Sequence, residues 1–220
     1  MGWDQTGSRK ISGGWFMQNF SILKYIKQLK HPVFTTNGLA GISGKSLSTT
    51  TQRLNFLSRQ GVVMKIYRGI WAEITNKPIS PYSVIPYLLP CQRVYVSFTT
   101  ALHLHGIIEQ VPQVVTLAST AHTKIISTKI AVFSIHQITP YLFDGFDWYN
   151  NTGDFLIAEP EKALFDCLYM SVHKKNQFGS FPELQFHKQF DFRKVSKWIK
   201  RINNIRIQKL IELKLKQFFA

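Results

Sequence analysis

The sequence predicts an α+β protein in two domains, and three observations predict it. Helical periodicity dominates from about residue 20 to Gly61 and then gives way to a short alternating pattern. Four prolines (78, 81, 86 and 90) crowd the next stretch, after which strand-like and helical segments follow one another. The charge is also uneven: residues 1–79 hold 11 Lys/Arg against 2 Asp/Glu, residues 80–170 hold 4 against 7, and residues 171–220 hold 12 against 3. The expected organisation is an N-terminal arm at 1–19, a first domain at 20–77, a Pro-rich linker at 78–90 and a second, mixed α/β domain at 91–220 that ends in a basic helical segment.

The arm, "MGWDQTGSRKISGGWFMQNF", is Gly-rich and without periodicity, so it reads as frayed. Trp3 and Trp15 have no account there. Ser21 can cap a first helix in which Ile22, Ile26 and Leu29 share a face while Lys24, Lys27 and Lys30 lie off it. Pro32 stops it. A second short helix covers Asn37 to Ile42, with a turn at Gly44. A third helix starts at Ser46, and at 100° per residue Leu47, Leu54, Leu57 and Gly61 gather on one side. Ser48, Thr49, Gln52, Arg53, Arg59 and Gln60 lie opposite, with Phe56 an apolar exception among them. Gly61 supplies the helix-ending position.

"VVMKIYRGIWAEI" follows, with Val62, Met64 and Ile66 alternating with Val63, Lys65 and Tyr67. Arg68-Gly69 makes the turn and Ile70 to Ile74 the returning strand. Three helices followed by a basic hairpin make a winged helix-turn-helix, a DNA-binding arrangement with the third helix in the major groove and the hairpin tip beside the backbone.

The stretch "GLAGISGKSLSTT" also invites a different reading, as a Gly-rich loop cradling a nucleotide phosphate. That loop needs a glycine five residues before Gly44-Lys45-Ser46, and position 39 is Leu. No buried apolar strand precedes it either. Gly44-Lys45-Ser46 reads instead as the turn and cap of the third helix.

In the second domain, "RVYVSFTTALHLHG" gives a strand at 93–96, a cap at Ser97, a helix and a stop at Gly106. "QVVTLAS" and "KIAVFSIHQI" are strands. "FLIAEPEKALFDCLYMS" gives a short strand and then a helix with Pro160 in its first turn, where Glu159 and Glu161 suit the helix dipole. From Arg193 to Phe219 a stripe of Val195, Trp198, Ile199, Ile202 and Ile205 runs among many lysines and arginines, with Asn203-Asn204 as a break.

A net charge of +15 over 220 residues points to a polyanionic partner, since neutralising phosphates releases their counterions. No apolar run reaches membrane-spanning length, no signal-peptide pattern opens the chain, and Cys91 and Cys167 stand far apart without metal-ligand spacing. A cytoplasmic protein with no membrane partner is expected.

No constellation of residues compels a catalytic reading. His103 and His105 sit two apart on a helix and point to different faces, so one metal cannot hold both. Glu159, Glu161 and Asp166 read as a capped, solvated helix, Ser97 as a cap rather than a nucleophile, and "DGFDWYNNTGD" (144–154) as a loop. No catalytic residue, metal or cofactor is expected.

Four segments in order, "LSRQGVV", "YRGIW", "YVSFTTALHLHG" and "IAEPEKALFD", resemble the AbiEi-type antitoxins. These form one half of the AbiE systems, type IV toxin–antitoxin pairs of phage defence, and the resemblance spans roughly residues 20–170. It implies an N-terminal domain that binds inverted repeats in its own promoter, repressing its operon, and a C-terminal antitoxin domain that counters a nucleotidyltransferase-like toxin, with or without a stable complex. Carried onto this chain, DNA contact falls on Lys45, Ser46, Ser48, Thr49, Gln52, Arg53 and Arg59 of the third helix and on Lys65 and Arg68 of the wing. Two rival readings stand beside it. One is a stand-alone winged-helix transcriptional regulator whose second domain senses a ligand or partner, and the other is a nucleotide-using enzyme built on Gly44-Lys45-Ser46.

Overall fold

The structure, a computed structural model, describes residues 22–29, 31–151, 155–173, 178 and 183–218. The expected arm at 1–19 and the expected cap at Ser21 lie outside them. The chain is mixed α+β and divides into two compact units at Ile79/Ser80.

In the first unit, helix α1 at 22–28 is followed by strand β1 (Val33–Thr35), helix α2 (Thr36–Ser43), helix α3 (Leu47–Arg59) and strands β2 (Val63–Tyr67) and β3 (Ile70–Glu73). β3 lies centrally in an antiparallel sheet of order β1-β3-β2. β1 has no counterpart in the sequence expectation, because three residues after Pro32 are too few to show alternation. It is defined by its partner, with Phe34 opposite Trp71.

Ile22, Ile26, Phe34, Leu39, Leu54, Leu57, Val63 and Trp71 form the core, with Phe56 packed against it. Each such side chain contributes about 1.5–3 kcal/mol through removal from water. The Trp71 indole N–H donates to the Thr36 hydroxyl (2.9 Å), and the Thr36 amide donates to the Gly69 carbonyl (2.9 Å), so the start of α2 is tied to the β2–β3 turn.

Two expectations are corrected. Leu47 is 53% exposed, and the inward face of α3 is instead Thr50, Leu54 and Leu57. Leu47 is the first residue of the helix and extends past the core. In β2 the simple alternation fails, since Val63 and Ile66 are both buried although three apart. The register shifts between Lys65 and Tyr67, and this bulge inserts a residue that turns Ile66 inward.

The second unit is built on a six-stranded mixed sheet of order β6-β7-β5-β4-β9-β8. Its strands are β4 (Val94–Val96), β5 (Val114–Ser119), β6 (Lys124–Ser127), β7 (Val132–Gln137), β8 (Phe146–Trp148) and β9 (Leu156–Ala158). β5 runs parallel to β7, β4 runs parallel to β9, and the other three pairings are antiparallel. Its helices are α4 (Ile85–Leu88), α5 (Phe98–Leu104), α6 (Pro160–His173), α7 (Phe192–Lys200) and α8 (Ile205–Lys216). β6 has no counterpart in the sequence expectation, and β8 replaces part of the loop expected at 144–154.

Residues 80–88, expected as linker with one helical turn, form a 3-10 turn and α4, with Val84, Ile85 and Leu88 buried in the second unit. α6 is not the solvated helix expected. Every residue from Glu161 to Leu168 is buried. Its buried charges are paired, Lys162 with Asp166, while Glu161 accepts from the Asp191 amide (3.0 Å). In the tail Val195, Ile199 and Ile202 are buried, Trp198 is half-buried and Ile205 is 60% exposed. The expected stripe ends before Ile205 because Asn204 caps α8, accepting from the amides of Arg206 and Ile207. Among the described residues no helix is long and apolar enough to cross a membrane.

Candidate nucleic-acid interface

Glycine opens the interface. Gly44 has φ 63°, a left-handed conformation, and ends α2. Its amide donates to the Gly41 carbonyl and that of Lys45 to the Ala40 carbonyl (3.2 Å). A phosphate cradle needs such amides turned toward the ligand, whereas both are spent on α2. Ser46 then caps α3, its hydroxyl accepting from the Thr49 amide (3.2 Å) and donating to the Thr49 hydroxyl (2.9 Å). Ser46→Ala should cost about 1 kcal/mol of stability, read as a lower urea midpoint with an unchanged denaturant slope.

The outward pole of α3 follows from helical geometry. Thr50, Leu54 and Leu57 fix the buried side. At 100° per residue the opposite direction belongs to Ser48, Gln52, Asn55 and Arg59, and all four are exposed. No acidic residue occurs in α3.

Of the residues expected to contact DNA, Ser48, Gln52 and Arg59 stand together on this pole. Ser46 and Lys45 lie at the start of the helix, Ser46 exposed as its cap and Lys45 half-buried. Thr49 is half-buried, its amide and hydroxyl engaged by Ser46. Arg53 is half-buried, on the flank between the pole and the core, and makes contacts of its own within the protein.

Asn55 is absent from the sequence expectation. Its spacing from Ser48 and Gln52 places it on the same side, and centring the buried face on Thr50 rather than Leu47 brings it out. Lys65 and Arg68 are exposed on β2 and the β2–β3 turn, and the Lys65 ammonium sits 5.6 Å from the centre of the Trp71 ring.

In the second unit the titratable groups make a different arrangement. The Lys162 ammonium pairs with Asp166 one turn along α6, and Asp166 also accepts from the Ser97 hydroxyl (2.7 Å) and the Tyr95 phenol (3.0 Å). All four side chains are fully buried. Ser97 holds the N-cap position of α5 as expected, but its hydroxyl is turned to Asp166 and makes no bond to an α5 amide. Burial pushes the Asp166 carboxyl up, against the pull of Lys162 and the two hydroxyls. Burial, then the nearby carboxylate, raises the Tyr95 phenol and the Cys167 thiol well above their ordinary values.

His103 and His105 donate to the carbonyls of Ile108 (3.2 Å) and Ala158 (2.7 Å). Among the described residues no three His, Cys, Asp or Glu side chains gather to hold a metal.

A surface groove of about 410 Å³ is lined by Asp144, Gly145, Glu159, Lys194, Lys197, Trp198 and Arg201. Its charges are largely paired. Lys194 bonds Glu159 at 3.1 Å, and Asp144 accepts from Arg201 and from the Trp198 indole. Burial acts to raise the Asp144 carboxyl, but the hydrogen bonds from Arg201 and Trp198 together bring it below its ordinary value.

In comparison with known proteins, no family model matches the chain and no curated protein shows significant similarity to it.

Proposed function

We propose that the chain is a DNA-binding antitoxin and autorepressor that acts in the cytoplasm, its first unit a winged helix that grips promoter repeats and its second unit the part that counters a nucleotidyltransferase-like toxin. The observation that carries the DNA half is the outward pole of α3. Ser48, Gln52, Asn55 and Arg59 stand exposed on one side of a helix without acids, beside a hairpin whose turn bears the exposed Arg68. Hydroxyls and amides suit base edges, and guanidinia suit phosphates. The antitoxin half rests on the order of the four motifs in the sequence.

Arg68→Ala should weaken binding to all duplexes alike and lower the slope of log affinity against log salt by about one, as expected for one lost phosphate contact. An unchanged slope would remove the hairpin tip from the interface. The autorepressor is tested by a reporter fused to the DNA upstream of the chain's own gene. Repression by the wild type, lost on removing residues 1–79, supports the reading, and undiminished reporter output overturns it.

The groove at Trp198 favours a second reading, a stand-alone regulator whose second unit takes a ligand. A gene for a nucleotidyltransferase-like protein beside this one would favour the antitoxin.

A further inference from the structure

We propose that α3 reads adenine, with Gln52 and Asn55 each holding the edge of an A·T pair in the major groove. The inference rests on the DNA-binding reading and adds the base chemistry to it.

The side chains at the centre of the outward pole are two carboxamides, and neither bonds another described residue. A carboxamide offers one donor and one acceptor side by side. Adenine alone among the bases matches that pair, with its N6 amino donor beside its N7 acceptor. Guanine presents two acceptors and calls for a guanidinium or an ammonium. Arg53 lies off the pole and is engaged within the protein, while Arg59 is the last residue of α3.

Gln52 and Asn55 are about 4.5 Å apart along the helix axis, against about 3.4 Å between stacked bases, so a helix inclined in the groove brings them to neighbouring base pairs. The absence of acids on α3 also leaves no carboxylate to accept from the cytosine amino group.

The test is selection of sites from a randomised duplex library by the full chain, with wild type, Gln52→Ala and Asn55→Ala in parallel. Both positions are exposed, and unchanged thermal unfolding verifies that the variants fold. The wild type should enrich a site with adenine at two nearby positions, and each variant should lose the preference at one of them, with affinity for the selected site falling about 5- to 150-fold. 7-Deazaadenine placed at those positions should reproduce the loss in the wild type, since it lacks the N7 acceptor.

Enrichment of guanine there, or an adenine preference that survives both substitutions, overturns the proposal while leaving DNA binding intact. Failure to retain any duplex overturns the DNA-binding reading itself, and the proposal with it.

Discussion

Asp166→Ala should destabilise the second unit by about 3–5 kcal/mol, the cost of leaving one partner of a buried ion pair without the other. Lys162, fully buried, would be left without its counter-charge, and the Tyr95 and Ser97 hydroxyls would lose their acceptor. The two unsatisfied hydroxyls, at about 1–3 kcal/mol each, are part of that cost. The network links β4 and the residue before α5 to the middle of α6, so its loss should loosen the packing of that helix on the sheet.

The double change Lys162→Met/Asp166→Leu should cost less than Asp166→Ala alone. Removing both charges avoids the orphaned ammonium and leaves only the hydroxyls unpaired. Urea unfolding of the three proteins measures this order. A double variant less stable than the single one would show that the orphaned ammonium is not the main cost of losing Asp166.

Gly145→Ala should cost about 2–5 kcal/mol, from two sources. Gly145 has φ 72°, where a side chain costs about 1–2 kcal/mol. A Cβ would also lie 2.5 Å from Trp198 Cζ2 and 3.1 Å from Lys162 Cγ, an overpacking worth about 1–3 kcal/mol. Trp198 must move, which breaks its bond to Asp144 and lifts α7. Gly61→Ala is the control. Its φ is 71° but the space around it is open, so only the backbone strain applies. Equal losses in the two variants would show that Trp198 does not press on Gly145, whereas faster hydrogen exchange along α7 in Gly145→Ala alone is the expected result.

Much of the first unit is legible in the sequence because its elements carry local signals. Gly44, Ser46 and Gly61 mark the limits of α3, and Arg68-Gly69 marks the hairpin turn. Signals that depend on partners are not legible. β1 is three residues long and exists through pairing with β3. Ile66 turns inward through a bulge that no alternation announces, and Leu47 fits the helical stripe yet lies beyond the core.

The second unit shows the same limit more strongly. Lys162 and Asp166 are one turn apart in an apparently amphipathic helix, and the sequence does not show that Tyr95 and Ser97, about 70 residues earlier, make their burial tolerable. For the interface, the residue types on α3 are readable from the sequence. Their division into pole and flank is not, because it depends on Thr50 being wholly buried.

The central claim is that the chain binds its own promoter through the first unit. The most direct test is a gel-shift salt titration with the DNA upstream of its gene, comparing wild type with an Arg59→Ala/Arg68→Ala variant in the presence of scrambled competitor. The account predicts a specific complex whose affinity falls steeply with salt and which the variant forms poorly. A folded wild-type protein that forms no specific complex, or a variant that binds as tightly at every salt concentration, would contradict it.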